Sequence, residues 1–416
     1  MGRNAEISAL EVLAVLQVDK IHFEVEVFGP QILLLSFSEE QDSRLLIAKL
    51  GGTVKIVQIF GREDSADVAG FLERQIHSQS GLEQLIKQAK GKVHFGISYY
   101  DLANRKRADR FFGKSGLRML KLIKALLKAR NMPSGFLRPK EACLSSVSVE
   151  KNKLLKEGFE MVIVFDAGGF YWGKTLAVQP FEEFSFRDYG RPDRDDRSGM
   201  LPPKLARIMI NLVGVEKEAS LLDPFCGSGT ILQEALLLGY RKLAGADINP
   251  LAISHTKQNL NWLKSRYPKL PIEHIGLYCS NVADLDLMLK SQNIDAIVTE
   301  PFLGSADISR MERVKLMDEM REVKKLYLSA FSTFARLLRV DGKLLVVFPV
   351  YRHRGGMVEL NLGRETQELG LKMVELRPQT FIGREMAGFK SRARGSLLYG
   401  REGQTVWREI FLFVKT

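Results

Sequence analysis

A chain of 416 residues, 45% hydrophobic and 26% charged, is too long for one small core and has the balance of a globular protein of two or three domains. Its formal net charge of +12 points toward a polyanionic partner, and no apolar run approaches the roughly 20 residues that span a bilayer. The opening Met1-Gly2-Arg3-Asn4-Ala5-Glu6 lacks the apolar segment and cleavage site of a secretory signal, and Glu6 stands where myristoylation of Gly2 requires Ser or Thr, so a cytoplasmic protein without a membrane anchor is expected. Cys143, Cys226 and Cys279 are scattered without CxxC spacing, and the six histidines never pair at ligand spacing. Neither a disulfide framework nor a metal site is expected.

In chain order, residues 5 to 16 read as a helix, and the alternating runs 22–27 and 32–37 around Gly29-Pro30 read as a hairpin. A helix over 41–50 ends at Gly51-Gly52, and a strand follows at 54–60. The order αββαβ predicts a ferredoxin-like unit over residues 1–62 whose first strand is short or missing. A polar stretch, 61–67, then leads into a second region, residues 70–180.

That second region holds the charge. Between Lys87 and Lys140 stand fifteen lysines and arginines against Asp101 and Asp109, an excess that matches the charge of the whole chain. Over 115–130, Leu117, Leu120, Ile123 and Leu127 recur at helical spacing while Lys114, Arg118, Lys121 and Lys128 form a second stripe with Lys124 beside it. A solvated face is the bland reading of such a helix, and an RNA-gripping face the sharper one. Strands at 93–98 and 161–165 suggest α+β architecture around it.

Gly168-Gly169-Phe170-Tyr171-Trp172-Gly173-Lys174-Thr175 satisfies GxxxxGK[ST], but a phosphate loop needs slim residues and a following helix. Here the loop positions are aromatic and a strand follows, so a hairpin turn is expected instead. Residues 186–200, rich in Arg, Asp, Gly and Pro, predict a linker. Beyond Pro202-Pro203 strands and helices alternate, with strands at 220–224, 243–247, 275–279, 295–299, 343–348, 372–376 and 407–414. This alternation predicts a doubly wound α/β sheet over 186–416 that binds ligands at its strand ends.

Asp223-Pro224-Phe225-Cys226-Gly227-Ser228-Gly229-Thr230 occupies the first of those strand ends, where two glycines permit a tight turn and close approach of backbone to a ligand. The next strand ends in Gly245-Ala246-Asp247, which places a carboxylate to accept both hydroxyls of a ribose. The fourth delivers Glu300-Pro301-Phe302-Leu303. An acidic residue, a neighbouring carbonyl and an aromatic ring suit transfer of a methyl group to a planar exocyclic amine, because the acceptors orient the amine and the ring stacks on the base.

On these motifs, with Met200-Leu201-Pro202-Pro203-Lys204-Leu205-Ala206-Arg207, Phe95-Gly96-Ile97-Ser98 and Leu144-Ser145-Ser146-Val147, the chain resembles the THUMP-containing RNA methyltransferases. The group it is most similar to is the tRNA guanosine N2-methyltransferases acting at position ten. The resemblance implies ferredoxin-like and THUMP domains that grip tRNA and a Rossmann-like class I catalytic domain that binds S-adenosylmethionine. It implies that Asp223, Phe225, Gly227, Gly229 and Thr230 line the methionine part, that Asp247 holds the ribose, and that Asn281 faces the adenine. Their neighbours Ile248 and Val282 complete the expected cofactor set.

Glu300, Pro301 and Phe302 are the expected catalytic residues. Arg118, Lys121, Lys124 and Lys128, with Lys390, Arg392 and Arg394 from the second cationic segment 384–401, are the expected RNA-binding set. The family's fourth-strand motif is Asp-Pro-Pro-Tyr, so Glu300-Pro301-Phe302-Leu303 departs from it. That departure leaves open adenine N6 as the target, and a tRNA-binding homologue without turnover. An activating protein partner is not legible.

Overall fold

The computed structural model describes the chain apart from residues 3, 87–90, 103–105, 194–199, 290–292, 306–310 and 355. Three of the basic residues counted above, Lys87, Lys90 and Arg105, and residues 194–199 of the expected linker thus lie outside the described residues.

The helix Ala5–Val18 is followed by β1 (Phe23–Phe28) and β2 (Leu33–Phe37), paired antiparallel, and by the helix Ser43–Lys49. The first helix is apolar on nearly every side because both sides are covered. Val12, Val15 and Leu16 pack with Leu50 against the hairpin, whereas Ile7, Leu10 and Leu13 join Leu205, Ile208 and Met209 of the C-terminal half. No strand precedes this helix among the described residues.

β3 (Lys55–Glu63) leaves the hairpin unit and forms one edge of a five-stranded sheet with β4 (Val93–Asp101), β5 (Ser134–Phe136), β6 (Gly158–Phe165) and β7 (Phe170–Val178), in the order β3-β7-β6-β4-β5. Its pairing with β7 brings Phe60 to Trp172, ring centroids 5.0 Å apart, and Lys55 to the buried carboxylate of Glu160. The expected polar stretch is therefore shorter, because β3 runs on to Glu63. The helix Leu117–Ala129 lays Met119, Leu120, Ile123 and Leu127 on this sheet beside Phe71, Phe95 and Tyr99. Its opposite face, with Arg118, Lys121, Lys124 and Lys128, is exposed.

The Walker-like segment is a β6–β7 hairpin. Asp166 Oδ1 accepts from the backbone N–H groups of Gly168 and Gly169, and a Cβ at Gly169 would lie 1.9 Å from the Glu63 carbonyl oxygen. Lys174 donates to the Gln84 carbonyl at 2.6 Å. The segment expected as a linker from residue 186 is corrected at its start: the helix Phe181–Tyr189 persists because Phe186 stacks on Trp262 at 4.2 Å and Arg187 is buried against Glu234.

The C-terminal half forms a nine-stranded sheet from β8 (Ser220–Asp223), β9 (Lys242–Asp247), β10 (Gly276–Cys279), β11 (Ile294–Thr299), β12 (Leu338–His353), β13 (Gly356–Glu359), β14 (Leu371–Val374), β15 (Leu397–Tyr399) and β16 (Val406–Lys415). The order is β10-β9-β8-β11-β12-β16-β14, with β13 on β12 and β15 on β16. β8 to β12 are parallel, and β16 runs antiparallel between β12 and β14.

Neighbouring residues in the buried strands face opposite layers. Leu221, Val298 and Leu345 meet the helices Pro203–Val213 and Thr230–Leu237, and Leu222, Ile297 and Leu344 meet the helix Arg313–Leu337. This is a Rossmann-like sheet covered on both faces. Its strand order reverses between β8 and β11, and a crevice opens there at the carboxyl ends.

Among the described residues no helix is long and apolar enough to cross a membrane, and no cluster of three or more metal-ligating side chains occurs.

Candidate cofactor and base-binding cleft

β8 ends in Asp223, whose buried carboxylate accepts from Thr299 Oγ1 at 2.7 Å and from the Phe225 N–H at 3.2 Å. Burial pushes its pKa up to about 7 against these hydrogen bonds, with the charges of Asp247 and Glu300 acting in the same direction as burial. The three strand ends thus converge electrostatically as well as in topology.

The turn after Asp223 is held by Cys226 N–H to the Ala246 carbonyl at 2.8 Å and Gly229 N–H to the Cys226 carbonyl at 2.7 Å. Gly227 and Gly229 have φ of +51° and +82°. A Cβ on Gly227 would enter open space, whereas one on Gly229 would lie 2.9 Å from Thr256 Cγ2. Thr256 Oγ1 donates to the Gly227 carbonyl at 2.8 Å, Asn259 Nδ2 to the Ser228 carbonyl at 3.0 Å, and Arg191 Nη1 to Thr230 Oγ1 at 2.7 Å.

Asp247 at the end of β9 closes this turn. Its Oδ2 accepts from Gly227 N–H at 3.0 Å and its Oδ1 from Asn249 N–H at 2.9 Å. The next residue, Ile248, is 66% exposed, an apolar side chain offered to whatever enters the crevice. Asn281 begins the short turn Val282–Asp284 and caps it by accepting from Ala283 N–H at 3.0 Å, with Val282 buried beneath. Ser280 N–H donates to the Asp247 carbonyl at 3.0 Å and ties this turn to the carboxylate. A positive-φ glycine, Gly227, beside open space, a carboxylate one strand away and an exposed aliphatic side chain next to it fit the nucleoside and amino-acid parts of S-adenosylmethionine.

β11 delivers Glu300. Both of its oxygens are engaged by one guanidinium: Arg408 Nε donates to Oε2 at 2.5 Å and Nη2 to Oε1 at 2.9 Å, with only 10% of either side chain exposed. The sequence reading treated Glu300 as a carboxylate free for the base, and Arg408, brought from β16 more than a hundred residues later, was missed. Pro301 is buried, whereas Phe302 is 53% exposed and projects an aromatic face at the strand end. Tyr351 on β12 donates its hydroxyl to the Leu303 carbonyl at 2.8 Å and anchors the loop that follows.

The two expected RNA-binding sets differ. Arg118, Lys121, Lys124 and Lys128 form no ion pair among the described residues, and Lys124 Nζ lies 5.8 Å from the Phe136 ring centroid. Lys390 is likewise exposed. Arg392 and Arg394 are instead ion-paired within the fold. Both guanidiniums are bound to Glu359 and Glu409, and Arg394 also donates to the Leu360 carbonyl at 2.7 Å and lies 4.9 Å from the Phe411 ring centroid. Glu409 is fully buried, so these arginines neutralise a carboxylate inside the fold.

Arg191, Thr256, Asn259 and Thr299 also escaped sequence reasoning. Each is hydrogen-bonded to the turn after Asp223 or to Asp223 itself, and a polar residue within an amphipathic helix or at a strand end carries no local sign of that contact. A cavity of about 640 Å³ lies elsewhere, lined by Phe348, Leu362, Phe411 and Phe413, and includes none of the cleft residues.

Residues 191–376 match the family described as RMKL-like, methyltransferase domain. A tRNA (guanine(10)-N2)-dimethyltransferase of Methanocaldococcus jannaschii is 30% identical over 210 residues, 49% of this chain and 57% of that relative. The chain thus spans little more than half of that relative's length. A probable tRNA (guanine(10)-N2)-dimethyltransferase of Methanothermococcus thermolithotrophicus is 30% identical over 156 residues, 36% of this chain and 91% of the relative.

The crystal structure of TrmN from Thermus thermophilus superposes with a TM-score of 0.55 at 14% identity, over 100% of this chain and 98% of that one, which shows a common fold. Fold, cleft and sequence agree: the chain belongs to the methyltransferase family of these tRNA (guanine(10)-N2)-dimethyltransferase relatives, with an RMKL-like methyltransferase domain.

Proposed function

We propose that the protein is an S-adenosylmethionine-dependent RNA methyltransferase whose target is the exocyclic N2 of a guanosine in tRNA, at position ten. The observation that carries this reading is the convergence of Asp223, Asp247 and Glu300 at adjacent strand ends, with Phe302 exposed beside Glu300. The relatives' names support guanine N2 as the target atom and a second methyl transfer on the same nitrogen.

When bound, the cofactor supplies an electrophilic methyl group on a sulfonium sulfur. The turn from Phe225 to Thr230 would hold its methionine part, Asp247 the ribose hydroxyls, and Ile248, Asn281 and Val282 the adenine. Phe302 stacks on the target base and excludes water from one face. Glu300 and the carbonyl groups of the β11 strand end accept the amine N–H groups and turn its lone pair toward the methyl group, so that positioning carries most of the rate. The proton released from the nitrogen passes to solvent, and no strong base is required.

The five-stranded unit would grip the RNA as a THUMP domain. We take the expected division into residues 1–62, 70–180 and 186–416 as three working parts, with β3 joining the first to the second. The helix Leu117–Ala129 supplies phosphate contacts through its free cationic face. Such a protein acts in the cytoplasm on newly made tRNA.

Purified protein, labelled S-adenosylmethionine and unmodified tRNA, followed by nucleoside analysis, tests the reading. Label in N2-methylguanosine or its dimethyl form is expected. Label only in N6-methyladenosine would overturn the target assignment, and cofactor binding without label in RNA would identify a homologue that has lost turnover.

A further inference from the structure

The first of the departures from the family's fourth-strand motif, Glu300, has a partner in the fold. A glutamate places its carboxylate on a longer stem than aspartate, with an additional torsion and thus more rotamers to sample. Left alone at a strand end, Glu300 would be a poorer orienting group than the residue it replaces. The structure supplies a constraint, because Arg408 holds both carboxylate oxygens at 2.5 and 2.9 Å in a fork-to-fork arrangement. Such a pair fixes the plane of the carboxylate as well as its distance.

Arg408 is itself placed by sheet pairing. It lies opposite Pro349 of β12 and Tyr399 of β15, and only 8% of it is exposed. Among the described residues, Asp223 on β8 and Tyr327 on the helix Arg313–Leu337 interact electrostatically with Glu300, and Tyr399 with Arg408.

We propose that Arg408 is a positioning residue: its bidentate grip fixes the plane and direction of the Glu300 carboxylate, so that a lone pair left outside the fork accepts one N–H of the target amine and holds that nitrogen toward the methyl group. A carboxylate offers about four acceptor sites, of which the fork occupies two, and the other two point to either side of it. This inference rests on the RNA methyltransferase reading above.

The test compares the full-length parent with Arg408→Met, Arg408→Lys, Glu300→Gln and the Glu300→Gln/Arg408→Met double variant. It measures kcat, KM for tRNA and cofactor affinity. Arg408→Met is expected to lower kcat on guanosine about 100-fold, the scale of a misplaced reacting group, with cofactor affinity and KM for tRNA changed by no more than about twofold.

Arg408→Lys, which keeps the charge and loses the fork, should recover only part of that loss. The double variant should be no slower than the slower single variant, because both substitutions remove one unit. Parental kcat in Arg408→Met, or a double variant whose loss is the product of the two single losses, overturns the proposal. Should Arg408→Met fail to fold, Arg408→Lys decides: parental kcat rejects the role and a fall of tenfold or more supports it. A parent that methylates no purine amine rejects the function and this role together. An active parent with an equally active Arg408 variant rejects the role alone.

Discussion

Glu11 Oε1 accepts a hydrogen bond from Asn211 Nδ2 at 2.8 Å and thereby joins two helices 200 positions apart in the chain. The same carboxylate accepts the Gly51 and Gly52 N–H groups at 2.7 Å each, so one buried side chain closes the turn after the second helix and docks it on the helix Pro203–Val213. Glu11→Ala leaves three donors without that acceptor and should cost about 3 kcal/mol in urea unfolding. A loss below about 1 kcal/mol would show that the docking does not depend on it.

Burial pushes the Glu11 pKa up to about 7, opposed by hydrogen bonds from Gly51, Gly52 and Asn211. The folded state then holds a proton that the unfolded chain has already released. The contribution of Glu11 to stability is greatest below its ordinary value near 4.5, falls as pH rises toward 7, and is flat above that. Glu11→Gln, which cannot titrate, should flatten the decline of unfolding free energy between pH 5 and 7; an unchanged slope would assign the decline to other groups, Asp223 among them.

Asp247→Ala removes the acceptor of both Gly227 and Asn249 N–H groups as well as the ribose partner. Cofactor affinity measured by calorimetry should fall at least about tenfold, the effect of one charge-assisted hydrogen bond, while tRNA affinity in filter binding stays at the parental value. Equal loss of both would point to a collapse of the crevice.

Lys121→Ala with Lys124→Ala removes two charges from the free face of the helix Leu117–Ala129 and leaves its packed face intact. Binding to tRNA should weaken, and the slope of log affinity against log salt should shrink by about 2 if both lysines contact phosphates. An unchanged slope would mean that the stripe is merely solvated.

Arg394→Ala should behave in the opposite way. It leaves the fully buried Glu409 and the half-buried Glu359 short of a partner, so thermal stability should drop by the equivalent of about 3 kcal/mol while the salt slope for RNA stays unchanged. A changed slope with parental stability would return Arg394 to the RNA surface.

These outcomes divide along what the chain makes visible locally. The helix Leu117–Ala129 was legible because its two faces follow the 3.6-residue period, and the hairpin behind the Walker-like string because bulky rings occupy positions that phosphate loops leave slim. The helix Ala5–Val18 was legible as a helix, but the reason for its all-round apolarity appears only with the second surface it meets. The linker expected from residue 186 was placed too early because polar composition does not register Phe186 stacking on Trp262.

The strand ends carrying Asp223, Asp247 and Glu300 can be read from alternation and glycine spacing alone, since strand period and turn chemistry are short-range properties. The use of each charge is a long-range property. Arg392 and Arg394 look in sequence like Lys121 and Lys124, yet the fold buries Glu409 beneath them and pairs both with it. Glu300 looks like a free carboxylate until β16 pairs with β12 and brings Arg408 across from the other end of the domain. The amino-acid order thus determined the elements, the strand ends and the glycine turn after Asp223, because those follow from local periodicity and backbone sterics. Only the pairing of distant strands decided which charges stay exposed and which carboxylate is already held, because burial and ion pairing depend on neighbours that sequence separation hides.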